Sequence, residues 1–163
     1  MPARRMIAFD AEWGRFNFRV AGVAISDNHV LLQHVQANGG YWVLPGGRLE
    51  LSEDTKTGLA REMAEELGAG VEIVRPVFIV ENFFEEGIPC QEMAFYYEMR
   101  LPPDFPRARQ TAIKRMDEDG TELEFAWWPV DEATLTRISL YPAFLRCKLQ
   151  WMPPTVEHFV WQG

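Results

Sequence analysis

Residues 41–69, YWVLPGGRLELSEDTKTGLAREMAEELGA, set a glycine pair between a short apolar run and a charged segment with helical spacing. This stretch constrains the fold most. An apolar strand must end at a tight turn and lead into a helix with several carboxylates crowded on one side. On a helix of about 3.6 residues per turn, Glu62, Glu65 and Glu66 stand at i, i+3 and i+4 and share a face. Ala60, Met63, Ala64 and Leu67 predict the neighbouring apolar stripe, leaving the carboxylates at the rim of the packed face. The spacing predicts a helix from about Asp54 to Leu67, stopped by Gly68 and Gly70.

The cluster is unfavourable as a bare surface. Glu62 and Glu66 repel at i, i+4, costing roughly 0.2–0.5 kcal/mol. Glu65 and Glu66 lie in the last turn, where the helix dipole disfavours anions by about 0.3–1 kcal/mol. Arg61 precedes Glu65 by four residues, the weaker orientation for an ion pair. Two readings follow: a solvated acidic face, which tolerates these costs, or a divalent-cation site, which turns the crowding to advantage. The glycine pair favours the second, because glycines let a backbone carbonyl approach a ligand closely. The donors are all oxygens, and the stretch holds neither His nor Cys. That chemistry suits Mg2+ or Mn2+ better than Zn2+.

Elsewhere, Phe16 to Ile25 and Val30 to Val35 flank a turn-like SDNH and predict a hairpin, and a second turn, QANGG, precedes a strand over YWVL. Strand signals return in VEIVRPVFIVENFF, EMAFYYEMRL and TELEFAWWPV, with loops at EEGIP, PPDFPRARQ and DEDG. DEATLTRI and YPAFLRCKLQ predict helices, with Pro142 in the first turn of the latter. The expected class is α/β, one domain over residues 1–163. A net charge of -8 argues against nucleic-acid polymers and anionic membranes as partners. No run approaches the roughly 20 apolar residues of a membrane span, and no leader is evident, which predicts a cytoplasmic protein. Cys90 and Cys147 have spacing suited to neither a disulfide nor a zinc framework, and reduced thiols are expected. His29, His34 and His158 form no set with a Ser or Cys nucleophile.

Gly47, Glu53, Arg61, Glu62, Met63, Glu65, Glu66, Gly68 and Ala69 fill, in order, the signature box that the chain shares by resemblance with the Nudix hydrolases. Met63 and Ala69 are small departures from large aliphatics, and Ser52 replaces a glycine often found before the first glutamate. The resemblance implies an α/β/α sandwich around a mixed sheet, with the box as a loop-helix-loop. It also implies hydrolysis of the diphosphate linkage in a nucleotide or nucleoside diphosphate derivative, by water attack at phosphorus, with Mg2+ as cofactor and Mn2+ as substitute. Glu62 and Glu66 would be the principal metal ligands, Glu65 would complete the set or act as base, and the Gly46 carbonyl would join them. Arg61 would orient Glu53, which would hold a water or support the ligands. Some family members recruit a carboxylate outside the box. Glu92 is the candidate here, against the alternative of a solvent-facing strand glutamate, with Glu85, Glu86 and Glu98 as competitors. Homodimers are common in the family, and the apolar-aromatic strands could supply an interface.

Selectivity is less legible. Tyr41, Trp42, Phe83, Phe84, Trp127 and Trp128 are candidates to stack on a base, with core packing the preferred expectation for most. Arg19 and Arg48 are candidates for phosphate. The motifs that mark ADP-ribose, dinucleoside polyphosphate and NADH subgroups are not found at their usual places, so no substrate is assigned. A nucleotide-binding or regulatory module with little turnover is the alternative function, and a structural domain with an idle acidic helix is a third.

Overall fold

The computed structural model describes residues 4–109 and 111–163. Two sheets form its framework. The first has six strands: β1 (Ala8–Ala11), β2 (Gly14–Val23), β8 (Pro89–Arg100), β7 (Glu72–Glu85) and β11 (Glu157–Gln162) in spatial order, with β6 (Gly46–Arg48) also paired to β2. It is mixed, since β2 with β8 and β7 with β11 run parallel and its other pairs run antiparallel. The second has five strands: β3 (Ile25–Ser26), β4 (His29–Val35), β10 (Glu122–Pro129) and β9 (Ile113–Met116), with β5 (Tyr41–Val43) also paired to β4, along the edge it shares with β3.

Period-two alternation divides the core between two faces. Val20, Leu31, Phe125 and Trp127 join one cluster, while their neighbours Ala21, Val30, Leu32 and Ala126 join another. Helix α1 (Thr55–Leu67) covers the first through Leu59, Met63 and Leu67. Helices α2 (Glu132–Arg137) and α3 (Leu145–Lys148) cover the second through Leu135 and Leu145. The α/β/α sandwich around a mixed sheet, expected from the resemblance, is the architecture observed.

The expected hairpin is only partly formed. Asp27 and Asn28, both at positive φ, make a tight turn between β3 and β4. The longer run before it, β2, instead pairs with β8 in the other sheet, because the chain crosses from sheet to sheet near Ala24. The last expected helix shortens to α3. Pro142 lies before it in a turn, its carbonyl accepting from Leu145 N at 3.1 Å. Strands β1, β9 and β11 were not expected. Each is short, and β1 and β11 are also charged at one end or alternately exposed, so their apolar signal is weak. Cys90 is buried, Cys147 is exposed, and both are free thiols, as expected. Among the described residues no helix is long and apolar enough to cross a membrane.

Candidate active site

The site begins where β6 meets α1. Asp54 caps the helix by accepting from the backbone N–H of Lys56 at 2.9 Å and Thr57 at 3.0 Å. Thr55 meets the Tyr97 hydroxyl at 2.6 Å, fixing the first turn to β8. Gly68 closes the helix in the left-handed conformation, and the Arg115 guanidinium donates to the Leu67 carbonyl at 3.0 Å. That cation offsets the dipole cost expected for the acidic last turn.

The helix is rotated relative to the expected stripe. Ala60 and Ala64 are exposed, and the buried line is Leu59, Met63 and Leu67, at i, i+4 and i+8. Burying these three side chains contributes roughly 1.5–3 kcal/mol each, far more than two alanines offer, so they set the rotation. The rotation carries Glu62 inward. Glu62 is 6% exposed and lies against β6, where a Cβ on Gly47 would fall 2.3 Å from its carboxyl carbon. Glycine at position 47 is therefore what admits the carboxylate. Gly46 stands beside it, buried and paired with Ala21.

Arg61 ties loop to helix. Its Nε and Nη2 donate to the two oxygens of Glu53 at 3.1 and 2.6 Å, and Nη1 donates to Glu62 at 2.7 Å and Glu65 at 3.3 Å. Nη2 also reaches the Arg48 carbonyl at 3.2 Å. The Arg61 bonds hold the Glu53 carboxyl below its ordinary range, while Glu53 accepts from Glu50 N at 2.7 Å. Arg61 and Glu53, paired by the resemblance, are thus in direct contact.

Electrostatics differ along the helix. Burial pushes the Glu62 carboxyl up, outweighing Arg61. Burial, followed by the nearby Glu62 charge, pushes Glu66 up to about 8. One oxygen of Glu66 is sealed from solvent without any hydrogen-bond partner. A solvated acidic face does not describe these two residues. Glu65 is held instead by Arg61 and by Arg4, whose Nη2 lies 2.9 Å away.

Sequence reasoning missed part of the rim. Arg4, Asp117, Glu118 and Asp119 line one cleft with Glu62, Glu65 and Glu66. Arg4 arrives because residues 5–7 bond to Leu49 and Leu51, and its guanidinium also reaches Glu118 at 2.8 Å. The acidic trio lies on the β9–β10 turn, where Asp117 accepts from the backbone N–H of Asp119 and Thr121. The DEDG sequence signalled that turn but not its place beside α1.

As they stand, no three His, Cys, Asp or Glu side chains among the described residues converge to hold a metal ion. Arg61 and Arg4 account for this, since both bond the same Glu65 oxygen and Arg61 draws Glu62 as well. The donors nevertheless fit a hard cation. All are oxygens, and the sealed oxygen of Glu66 beside a second buried carboxylate requires a proton or a cation.

The other candidates separate. Glu92 is 8% exposed and accepts from the Asn17 side-chain amide, so it is not a solvent-facing strand residue. Glu98 pairs with Arg75 at 2.9 Å, and Glu85 and Glu86 are exposed. Trp42 and Trp127 are core residues, the Trp127 indole donating to the Pro106 carbonyl at 2.8 Å. Trp128, Phe83 and Phe84 are half-buried, as is Tyr41. Arg19 donates to the Leu44 carbonyl at 3.0 Å, and Arg48 is exposed beside Asp10 and Arg15. His29 meets the Asp27 carbonyl, His158 meets Glu81, and His34 lies 3.9 Å from Glu124, so the three histidines form no catalytic set.

The family model described as NUDIX domain matches residues 16–147. A MutT-like protein of Streptomyces ambofaciens is 50% identical over 63 residues, a stretch that spans 39% of this chain and 41% of that relative. A mutator MutT protein from Bacillus halodurans superposes with TM-score 0.62 at 18% identity, covering 90% of this chain and 89% of its own. An ADP-ribose pyrophosphatase from Streptococcus suis gives TM-score 0.56 at 18% identity, covering 88% and 98%. These two structures share the fold.

Proposed function

The chain belongs to the NUDIX domain family, and from that premise we propose that it is a divalent-metal-dependent pyrophosphohydrolase. Its substrate is a nucleotide or nucleoside diphosphate derivative, cleaved at the diphosphate linkage by water attack at phosphorus, and residues 1–163 act as one domain. The observation that carries this reading is Glu66, a carboxylate on the rim of an acidic cleft with one oxygen sealed and unpartnered.

Glu62 and Glu66 would hold Mg2+, or Mn2+ in its place, with Glu65 and the Gly46 carbonyl completing the set. When bound, the cation lowers the pKa of a water and offsets phosphate charge. Arg61 keeps Glu53 ionised and fixes the loop at the helix face. Glu65, shared by Arg4 and Arg61, would alternatively serve as the proton acceptor instead of a ligand. Its test is Mg2+-dependent formation of the two phosphomonoester products from a panel of nucleoside diphosphate derivatives, separated by chromatography, for wild type and Glu66→Gln. Turnover that the variant loses supports hydrolysis, and no turnover on any compound sinks it.

A second reading, a binding module with little turnover, rests on the arginines that occupy Glu65 and Glu62. It predicts nucleotide binding without formation of those products in the same assay.

A further inference from the structure

The acidic cleft contains a cation that belongs to the chain itself. Of the described residues that line it, six are carboxylates and one, Arg4, is positive. The backbone places Arg4 there. Met6 bridges Glu50 in the antiparallel sense, Ile7 N donates to the Leu49 carbonyl at 2.7 Å, and the Arg5 carbonyl accepts from Leu51 N at 2.7 Å. Residues 5–7 therefore lie along the loop between β6 and α1 and deliver the Arg4 side chain to the acidic side of the helix.

Arg4 spans the cleft. Its Nη2 lies 2.9 Å from Glu65 Oε2 on α1 and 2.8 Å from Glu118 Oε2 on the β9–β10 turn. Glu65 Oε2 also accepts from Arg61 Nη1 at 3.3 Å, so two guanidiniums take up the lone pairs of that one oxygen. They are not equally held. Arg61 has further bonds to Glu53, Glu62 and the Arg48 carbonyl, and its side chain is 20% exposed. Arg4 is 38% exposed, and beyond Glu65 and Glu118 it reaches only a Glu50 oxygen 3.8 Å away among the described residues. Neither arginine bonds the sealed oxygen of Glu66. Arg4 thus neutralises Glu65 and Glu118 but leaves Glu66 bare, which makes it an incomplete substitute for a compact dication.

We propose that Arg4 is a built-in competitor of the divalent cation: its guanidinium holds Glu65 and Glu118 together in the metal-free protein, and entry of Mg2+ or Mn2+ displaces it from Glu65. The inference rests on the metal site of the proposed function. In either role given to Glu65 there, ligand or proton acceptor, its carboxylate must face the cation or a water, and Oε2 has no lone pair to turn while both guanidiniums are bound. A guanidinium beside a dication also opposes its binding by repulsion. Arg4, the more exposed and less bonded of the two arginines, is the one that yields, and Arg61 stays with Glu53. By reciprocity, the metal affinity that Arg4 removes is returned as stability of the metal-free chain. Arg4 therefore keeps the crowded carboxylates together until a cation takes its place.

Binding of Mn2+ alone to the full chain is measured by calorimetry for wild type, Arg4→Gln and Arg5→Gln, with melting curves in chelator and at saturating Mn2+. Arg5→Gln removes the same charge from an exposed side chain one residue away and so reports the general field. Arg4→Gln is expected to bind Mn2+ about 5-fold or more tightly than wild type, and Arg5→Gln to differ from wild type by less than about 2-fold at physiological salt. In chelator Arg4→Gln should melt below wild type, and at saturating Mn2+ the two curves should coincide. Equal or weaker Mn2+ binding by Arg4→Gln overturns the competition. So does an equal gain in Arg5→Gln, which assigns the effect to net charge, and so does a melting deficit of the same size in both conditions, which makes Arg4 a structural contact only. The two readings separate: competition without formation of the phosphomonoester products removes the hydrolase alone, and product formation with equal Mn2+ affinities removes the competition alone. Failure of all three proteins to bind Mn2+ removes the metal site and the competition with it.

Discussion

Glu66 and Glu92 are both withdrawn from water, but the chain achieves this in opposite ways. Glu66 belongs to a helix whose register also fixes Glu62 and Arg61 within a few residues, and Arg61 neutralises the neighbouring carboxylates without bonding to Glu66 itself. Glu92 belongs to a strand and receives its one side-chain hydrogen bond from Asn17, 75 residues away in sequence. The helix thus assembles a charged group locally and leaves one oxygen bare. The sheet assembles a polar group only after β2 meets the β7–β8 hairpin. Local assembly concentrates like charge, while remote assembly leaves a single carboxylate tied to one amide.

Breaking the helical half should have the largest effect. Glu66→Gln is expected to lower Mg2+-dependent hydrolysis by roughly 100-fold or more, since in the proposed function the group lost is a metal donor. In chelator the same variant should be the more stable protein. The Glu66 carboxyl titrates near 8 when folded, above the ordinary value of 4.5, so the folded state holds its proton more tightly than the unfolded one. That contribution is intact below about pH 4.5 and is lost as pH rises through 8, on the order of a few kcal/mol. Denaturation midpoints across this range should fall with pH for wild type and flatten for Glu66→Gln. A wild-type curve no steeper than the variant's would show that Glu66 is not buried as described.

Removing Arg61 tests whether local pairing holds the cluster together. Arg61→Ala leaves Glu53, Glu62 and Glu65 facing one another, and the expected loss is about 2–3 kcal/mol, below the full buried-pair value because the guanidinium is part-exposed. Glu53, whose carboxyl Arg61 holds low, contributes stability above its unfolded pKa that disappears as pH falls. The variant should therefore lose less than wild type on acidification in urea titrations. A smaller loss, about 1–2 kcal/mol, is expected for Asn17→Ala, which strips Glu92 of its one side-chain donor. The metal binding proposed at α1 should be unchanged in that variant. A shifted metal affinity would mean that the two halves are coupled, not independent.

The same contrast explains what the sequence disclosed. The acidic helix was legible because spacing on one helix fixes which side chains meet, and its cap at Asp54 and stop at Gly68 are local signals. Its rotation was not: the expected stripe took in Ala60 and Ala64 and left out Leu59, which packing against the sheet buries. Glu92 was singled out, but its burial depends on Asn17 and the strands around it, which periodicity cannot pair. Likewise β2 read as half of a hairpin with β4, and only the crossing at Ala24 shows that β8 is its partner. Arg4 and Asp117 to Asp119 reached the cleft through long-range pairing that left no mark in their own sequence.

Ser52 offers the finest test of how far local sequence sets the helical half. It stands where the signature often carries glycine, and it adopts φ of 75° on an exposed turn just before Glu53. A side chain in the left-handed region costs roughly 1–2 kcal/mol, which glycine avoids, while glycine loses roughly 0.5–1 kcal/mol more chain entropy on folding. Ser52→Gly should therefore stabilise the protein by about 0.5 kcal/mol, read from urea midpoints, with Mg2+ affinity unaltered. A clear loss of stability would show that the serine contributes a favourable contact in the turn, and that the loop ahead of α1 is held by more than backbone preference and the Arg61 clamp.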